Sequence, residues 1–197
     1  MKNYYPKMAI FLISIFLILF VLDSFILNGL LLQWGTLNKE KLFLNNQWWR
    51  VITSPFFHTG IIHILVNSLA IYCTGILIES KIRSIWFLLI FLISNILERI
   101  IFVFAFSPIS SIGSSPGIFG LMGVLLIYCW RDREFFKHVK NRGLEFLIGY
   151  SILGNVIGFS YDRFFVHAVG FIIGIALGIA LNSVFIAGNK EMSRIGK

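Results

Sequence analysis

The sequence is short of charge. Only 13% of its 197 residues are Asp, Glu, Lys or Arg, whereas 57% are hydrophobic and 21 are phenylalanine. A water-soluble domain carries about a quarter charged residues. This chain has too little polar surface to cover a globule in water, so lipid must be the solvent for most of it. Cysteine is almost absent. Cys73 and Cys129 both fall in apolar segments, with neither zinc-ligand spacing nor a disulfide framework, and they read as small buried hydrophobes. A cleavage signal is missing too: the first apolar run, 8–32, is too long for the apolar region of a signal peptide, and no small-residue site closes it. Acid is scarcer than base, nine residues against 17.

A spanning helix needs about 20 mostly apolar residues. On that scale the spans fall at 8–32, 57–78, 85–105, 115–130, 143–159 and 165–187. Residues 1–197 thus read as a single membrane domain without a separate soluble one, an all-α polytopic membrane protein. The fourth span is short, about 24 Å at the helical rise of about 1.5 Å per residue. The loop before it is uncharged and rich in serine. A short helix behind such a loop suggests that the loop dips into the membrane, which backbone tolerates only inside protein or beside a wet cavity.

Basic residues set the orientation. With six spans, twelve Lys and Arg share the side of the termini, against Lys39, Lys41, Arg50 and Arg163 opposite. Both termini are therefore expected in the cytoplasm. The net charge of +8 then reflects this bias and attraction to lipid headgroups. A nucleic-acid role is not expected, and RDREFFKHVKNR at 131–142, His138 included, reads as a solvated loop.

Polar residues inside a membrane are functional suspects. On the second span His63 and Asn67 are four apart and share a helix face, about 9 to 15 Å below the helix start, with His58 at the mouth. Ser115 opens the fourth span from the same side, and His167 lies near the start of the sixth. Three segments distant in sequence thus place serine, histidines and asparagine at one depth. Gly117, Gly120 and Gly123 on the fourth span, with Gly170, Gly174 and Gly178 on the sixth, are the small-residue stripes that let membrane helices approach closely. If the stripes face each other, Ser115 and His167 come near hydrogen-bond reach.

Two readings of the serine cluster stand side by side. Ser115 suits a helix cap with Pro116 as the first helical residue, which needs no chemistry. It also suits a nucleophile with His167 as its base, with Asn67, His63 and the Ser115 backbone N–H as oxyanion donors. GSSPG at 113–117 fits the G-x-S-x-G elbow, but an elbow belongs between strand and helix in a soluble hydrolase. Asp162 is the candidate third member; a Ser–His dyad is the simpler proposal. Asp23, Glu98 and Arg99 read as a buried structural ion network, and Trp34, Trp48 and Trp49 as an interfacial belt with Arg50 tying the first loop together. No cofactor and no metal are expected.

These residues resemble the rhomboid intramembrane serine proteases. The likeness runs from Trp34 to Gly178: WGTLN at 34–38, WWR at 48–50, HTGIIHILVN at 58–67, GILIE at 75–79, GSSPGIFGLMG at 113–123 and HAVGFIIG at 167–174. The resemblance implies a rhomboid-like six-transmembrane-helix bundle with a wet cavity opening outward and lateral access for a substrate helix past a gate formed by the fifth helix and nearby loops. It implies a serine-type endopeptidase acting on transmembrane protein substrates in the lipid bilayer. Ser115 would be the nucleophile and His167 the base, with Asn67, His63 and the Ser115 amide forming the oxyanion hole. Two positions depart from the pattern: Pro116 replaces the glycine after the nucleophile, and Val169 replaces the first glycine of a pair, which could widen the approach of the sixth helix to the fourth. The rival readings are a catalytically silent rhomboid-like protein that binds or escorts membrane clients, and a small transporter or channel. The last wants midplane charge or a repeat between halves, and neither is found.

Overall fold

The computed structural model describes residues 5–106, 110–156 and 160–195, with side chains outside 156 and 182–195. The fold is built almost wholly of helices. Helix α1 (Lys7–Phe25) is followed by a structured loop with α2 (Leu30–Gly35), strand β1 (Leu37–Asn38), α3 (Lys39–Asn45) and α4 (Trp49–Thr53). Helix α5 (Ile61–Thr74) runs through a π-helical turn (Gly75–Glu79) into α6 (Ser80–Ile82), and α7 (Ser84–Ala105) returns. Strand β2 (Ser110–Ser111), α8 (Ser115–Arg131), α9 (Arg133–Lys140), α10 (Leu144–Val156) and α11 (Tyr161–Ile195) follow.

Among the described residues, four helical stretches are long and apolar enough to cross a membrane: Lys7–Phe25, Ile61–Ile82, Ser84–Ala105 and Tyr161–Leu181. The shorter Ser115–Arg131 needs no lipid-facing length, because protein surrounds it. Eleven of the 17 residues of α8 are buried, and it packs against α5, α7 and α11.

The glycine stripes explain that packing. A Cβ on Gly117 would lie 2.7 Å from the Phe91 carbonyl oxygen of α7, and one on Gly123 would lie 2.7 Å from the Ile175 nitrogen of α11. From the other side, a Cβ on Gly170 would sit 2.9 Å from Pro116 Cα, and one on Gly174 2.7 Å from Gly120 Cα. Such distances exclude any side chain, so the two backbones touch through the stripes. Val169 does not hold the helices apart, since Gly170 beside it is already against Pro116.

Several ends differ from the hydropathy reading. The first apolar run is two helices, broken where Asn28 and Gly29 take positive φ of 50° and 86°. Asp23 accepts the N–H groups of Leu31 (2.7 Å) and Leu32 (3.2 Å) at the start of α2. It is thus a cap for unpaired helix donors, not a partner of Glu98 and Arg99. The second span begins at Ile61 and the last at Tyr161. The fifth is helical over Leu144–Val156, and 157–159 of that expected span lie outside the described residues.

Two buried polar groups fix the frame. Glu79 is fully buried and accepts the N–H groups of Met8 (3.0 Å) and Ala9 (3.2 Å), where the positive end of α1 favours a carboxylate. Arg50, almost fully buried, donates to the carbonyls of Gln33 (2.8 Å) and Thr36 (2.7 Å) and to Gln47 Oε1 (2.7 Å), tying the first loop together. Within that loop Trp34 and Trp49 stack at 5.9 Å.

Candidate active site

The site forms where α5, α8, α10 and α11 meet below the serine-rich segment. That segment is more ordered than a simple dipping loop. Ser110 and Ser111 pair antiparallel with Asn38 and Leu37, so the first loop holds it along one edge. Arg99, fully buried, holds it from beneath: its guanidinium donates to Ser54 Oγ (3.2 Å), Ser111 Oγ (2.9 Å) and the Gly113 carbonyl (2.7 Å). Glu98 balances the charge, with Oε2 at 2.7 Å. A buried cation needs such pairing and full hydrogen bonding to persist. Residues 107–109 of the segment lie outside the described residues.

The helix cap falls one residue earlier than the sequence suggests. Ser114 occupies the cap position with φ −89° and ψ −2°, Ser115 is the first residue of α8, and no side chain caps the helix. The Ser114 carbonyl accepts the Ile118 N–H at 3.2 Å. Both hydroxyls are engaged by histidines instead, on different sides, because consecutive residues of a helix diverge by about 100°. Ser115 Oγ lies 3.1 Å from His167 Nε2. Ser114 Oγ lies 3.2 Å from His58 Nε2.

The two pairs are not equivalent. His58 and Ser114 are buried, and His58 sits against Phe16 and His63, each at a ring separation of 5.0 Å. A cavity of about 1060 Å³ is lined by Ser115, His167, His63 and Asn67, but not by Ser114 or His58. His58, expected at the mouth of the second span, is therefore packed behind the site rather than in it.

The structure brings all four sequence candidates around that one cavity and adds three residues. The ring of His167 stacks on Phe119 at 4.3 Å and 15°. Its Nδ1 lies 2.9 Å from Asn155 Oδ1 on α10; Asp162, the weaker candidate beside the expected dyad, lines the cavity while Asn155 takes the Nδ1 position. Tyr150, also on α10, donates from Oη to Asn67 Oδ1 at 2.9 Å. That contact turns the Asn67 oxygen toward Tyr150 and leaves both amide N–H groups to donate into the cavity. On His63, Nδ1 lies 3.4 Å from Thr59 Oγ1. Asn155 is legible in the sequence as a polar side chain in an apolar segment, the same signal that marks Asn67. Tyr150 and Phe119 carry no such mark.

Helices long enough to span, a short buried central helix opened by serine, and a histidine from the last helix in contact with it define a polytopic membrane protein of hydrolase-like constellation. The rhomboid domain profile matches residues 45–184, and the chain belongs to the rhomboid family. It is 38% identical over 98 residues to the rhomboid protease GluP of Bacillus subtilis, covering 50% of this chain and 19% of that protein. It is 30% identical over 147 residues to RHOMBOID-like protein 6, mitochondrial, of Arabidopsis thaliana, covering 75% of this chain and 48% of the relative. Inactive RHOMBOID-like protein 8 of the same plant is 32% identical over 92 residues, 47% of this chain and 26% of the relative. The chain thus spans less than half the length of each of these relatives.

Proposed function

We propose that the chain is an intramembrane serine endopeptidase that hydrolyses peptide bonds in or near transmembrane segments of membrane proteins. The observation that carries this reading is the 3.1 Å contact between Ser115 Oγ and His167 Nε2 at the wall of the cavity. A serine hydroxyl becomes a useful nucleophile when an adjacent base takes its proton, and the distance lies within the reach that transfer needs.

In the proposed reaction Ser115 Oγ attacks the scissile carbonyl while His167 Nε2 takes the hydroxyl proton. The carbonyl oxygen becomes an oxyanion, accepting from the Asn67 amide, the His63 ring N–H and the Ser115 backbone N–H. At the first residue of a helix that N–H has no intrahelical partner, and Pro116 has no N–H to offer. Collapse breaks the C–N bond, and His167 returns its proton to the departing amine. Water then attacks the acyl-enzyme, with His167 acting as base again, to release the second product. An amide carbonyl is reachable only where a substrate helix unwinds, so small or helix-breaking residues are expected near the cut.

Twelve basic residues on one side against four on the other support an orientation with both termini cytoplasmic and the cavity opening outward. The similarity to Inactive RHOMBOID-like protein 8 of Arabidopsis thaliana favours a second reading in which the chain binds membrane clients without cleaving them. The retained Ser115–His167 contact speaks for the first. A fluorophosphonate probe separates them: the protease should be labelled in detergent and should cleave a model transmembrane substrate, both lost in Ser115→Ala. A wild-type protein that stays unlabelled and leaves such substrates intact would favour the second.

A further inference from the structure

Helix α10 is the most lightly attached of the helices around the cavity. Ile148, Ile152 and Leu153 are about half exposed, and a Cβ on Gly149 would meet nothing within 4 Å. Yet α10 supplies the partner of His167 and the partner of Asn67, through Asn155 and Tyr150.

The hydrogens of this network follow from one backbone carbonyl. The Ser151 carbonyl can only accept, and Asn155 Nδ2 lies 2.7 Å from it; the Asn155 amide must therefore turn its N–H groups there. That leaves Oδ1, an acceptor, at 2.9 Å from His167 Nδ1. Nδ1 must then carry the imidazole proton, which leaves the Nε2 lone pair toward Ser115 Oγ at 3.1 Å. Stacking on Phe119 fixes the ring plane but cannot choose between the nitrogens. Asn155 can, because the hydrogen bond at one ring nitrogen sets the proton at the other.

We infer that Asn155 is a positioning residue that holds His167 in the tautomer able to accept a proton from Ser115, and that this setting follows the position of α10. The inference rests on the reading of Ser115 and His167 as a dyad. Asn155 touches neither substrate nor the attacking oxygen. It replaces the carboxylate of a triad with a neutral acceptor, which orients the imidazole without placing a further charge in the membrane, where charge is costly. Because Asn155 travels with α10, any shift of that helix releases Nδ1 and lets the proton settle on Nε2, where it opposes attack.

The test uses the full chain in detergent with two size-matched variants, Asn155→Leu, which removes the acceptor, and Asn155→Asp, which keeps it. With 15N-labelled histidine, His167 should report Nδ1–H in wild type and a shift toward Nε2–H in Asn155→Leu. That variant should lose at least about tenfold in kcat, a part of the roughly 10²–10⁴ that general acid–base catalysis contributes, with KM within about twofold. Asn155→Asp should recover most of the loss. Tyr150→Phe, which loosens α10 without touching His167, should also lower the Nδ1–H fraction. Unchanged kcat and tautomer in Asn155→Leu would overturn the proposal, as would equal losses in the Leu and Asp variants with matching falls in Tm. An unchanged tautomer in Tyr150→Phe would remove the link to α10. If wild type neither labels nor cleaves while His167 still reports Nδ1–H, the dyad reading fails and the tautomer assignment stands.

Discussion

Gly113 and His63 compete for one volume. A Cβ on Gly113 would lie 2.7 Å from His63 Cε1 and 2.8 Å from Nε2, and Gly113 has φ +103°. The turn before Ser115 is therefore pressed against the imidazole of α5, in a backbone conformation that favours glycine.

Gly113→Ala should reduce fluorophosphonate labelling at least tenfold and lower Tm, since strain and overpacking together cost about 1–3 kcal/mol. Gly149→Ala is the matched control. Nothing lies within 4 Å of its Cβ position, so a helix-interior Gly→Ala change there should leave Tm unchanged or raise it, reflecting up to about 1 kcal/mol of added stability. Equal behaviour of the two variants would show that His63 yields readily.

Ser115→Ala should abolish labelling and cleavage and leave Tm close to wild type, because the hydroxyl faces the cavity. Ser114→Ala should do the reverse: labelling persists, while His58 loses the partner of its Nε2 in a buried setting, costing about 1–3 kcal/mol. Activity lost only in Ser114→Ala would move the nucleophile by one residue.

Asn67→Ala should lower kcat by about 10²–10³, the cost of one oxyanion donor, with little change in KM. Asn67→Asp keeps the acceptor for Tyr150 Oη but has no N–H to give, and should be as slow as the alanine variant. An active Asn67→Asp would remove Asn67 from the oxyanion site.

Asp132, between α8 and α9, gives a pH signature away from the site. The Phe135 N–H and then the Lys81 ammonium hold its carboxyl below the usual carboxylate range, with contacts of 2.9 Å and 3.0 Å. A lowered folded-state pKa means stability present above the unfolded value and lost as pH falls through the folded one. The Tm difference between wild type and Asp132→Asn should therefore be constant from about pH 8 to about pH 5 and shrink only below about pH 4. A difference that varies near neutrality would belong to another group.

Hydropathy and polar depth make much of this legible in the sequence, for definite reasons. Lipid forces backbone groups to pair within helices, so apolar runs locate them, and a buried polar side chain stands out against such a run. Ser115, His167, His63 and Asn67 are found that way. The break at Asn28–Gly29 is hidden because apolar residues continue on both sides. The pairing of Leu37–Asn38 with Ser110–Ser111 is hidden because two-residue strands carry no period. Asn155 rather than Asp162 meets His167 because its Oδ1 reaches Nδ1 from α10 at 2.9 Å, and sequence proximity favours the wrong neighbour.

The proposed reacting pair, Ser115 and His167, is separated by 52 residues, and the strand that steadies the serine loop is paired with one more than 70 residues earlier. Under the proposed reading, a ribosome delivers these parts in a fixed order: brace, then nucleophile, then base. A chain still being threaded into the bilayer carries its serine inside a finished brace but has no proton acceptor until α11 packs through its glycines. Under that reading, hydrolytic competence arrives only with α11, after every other part of the site has been made.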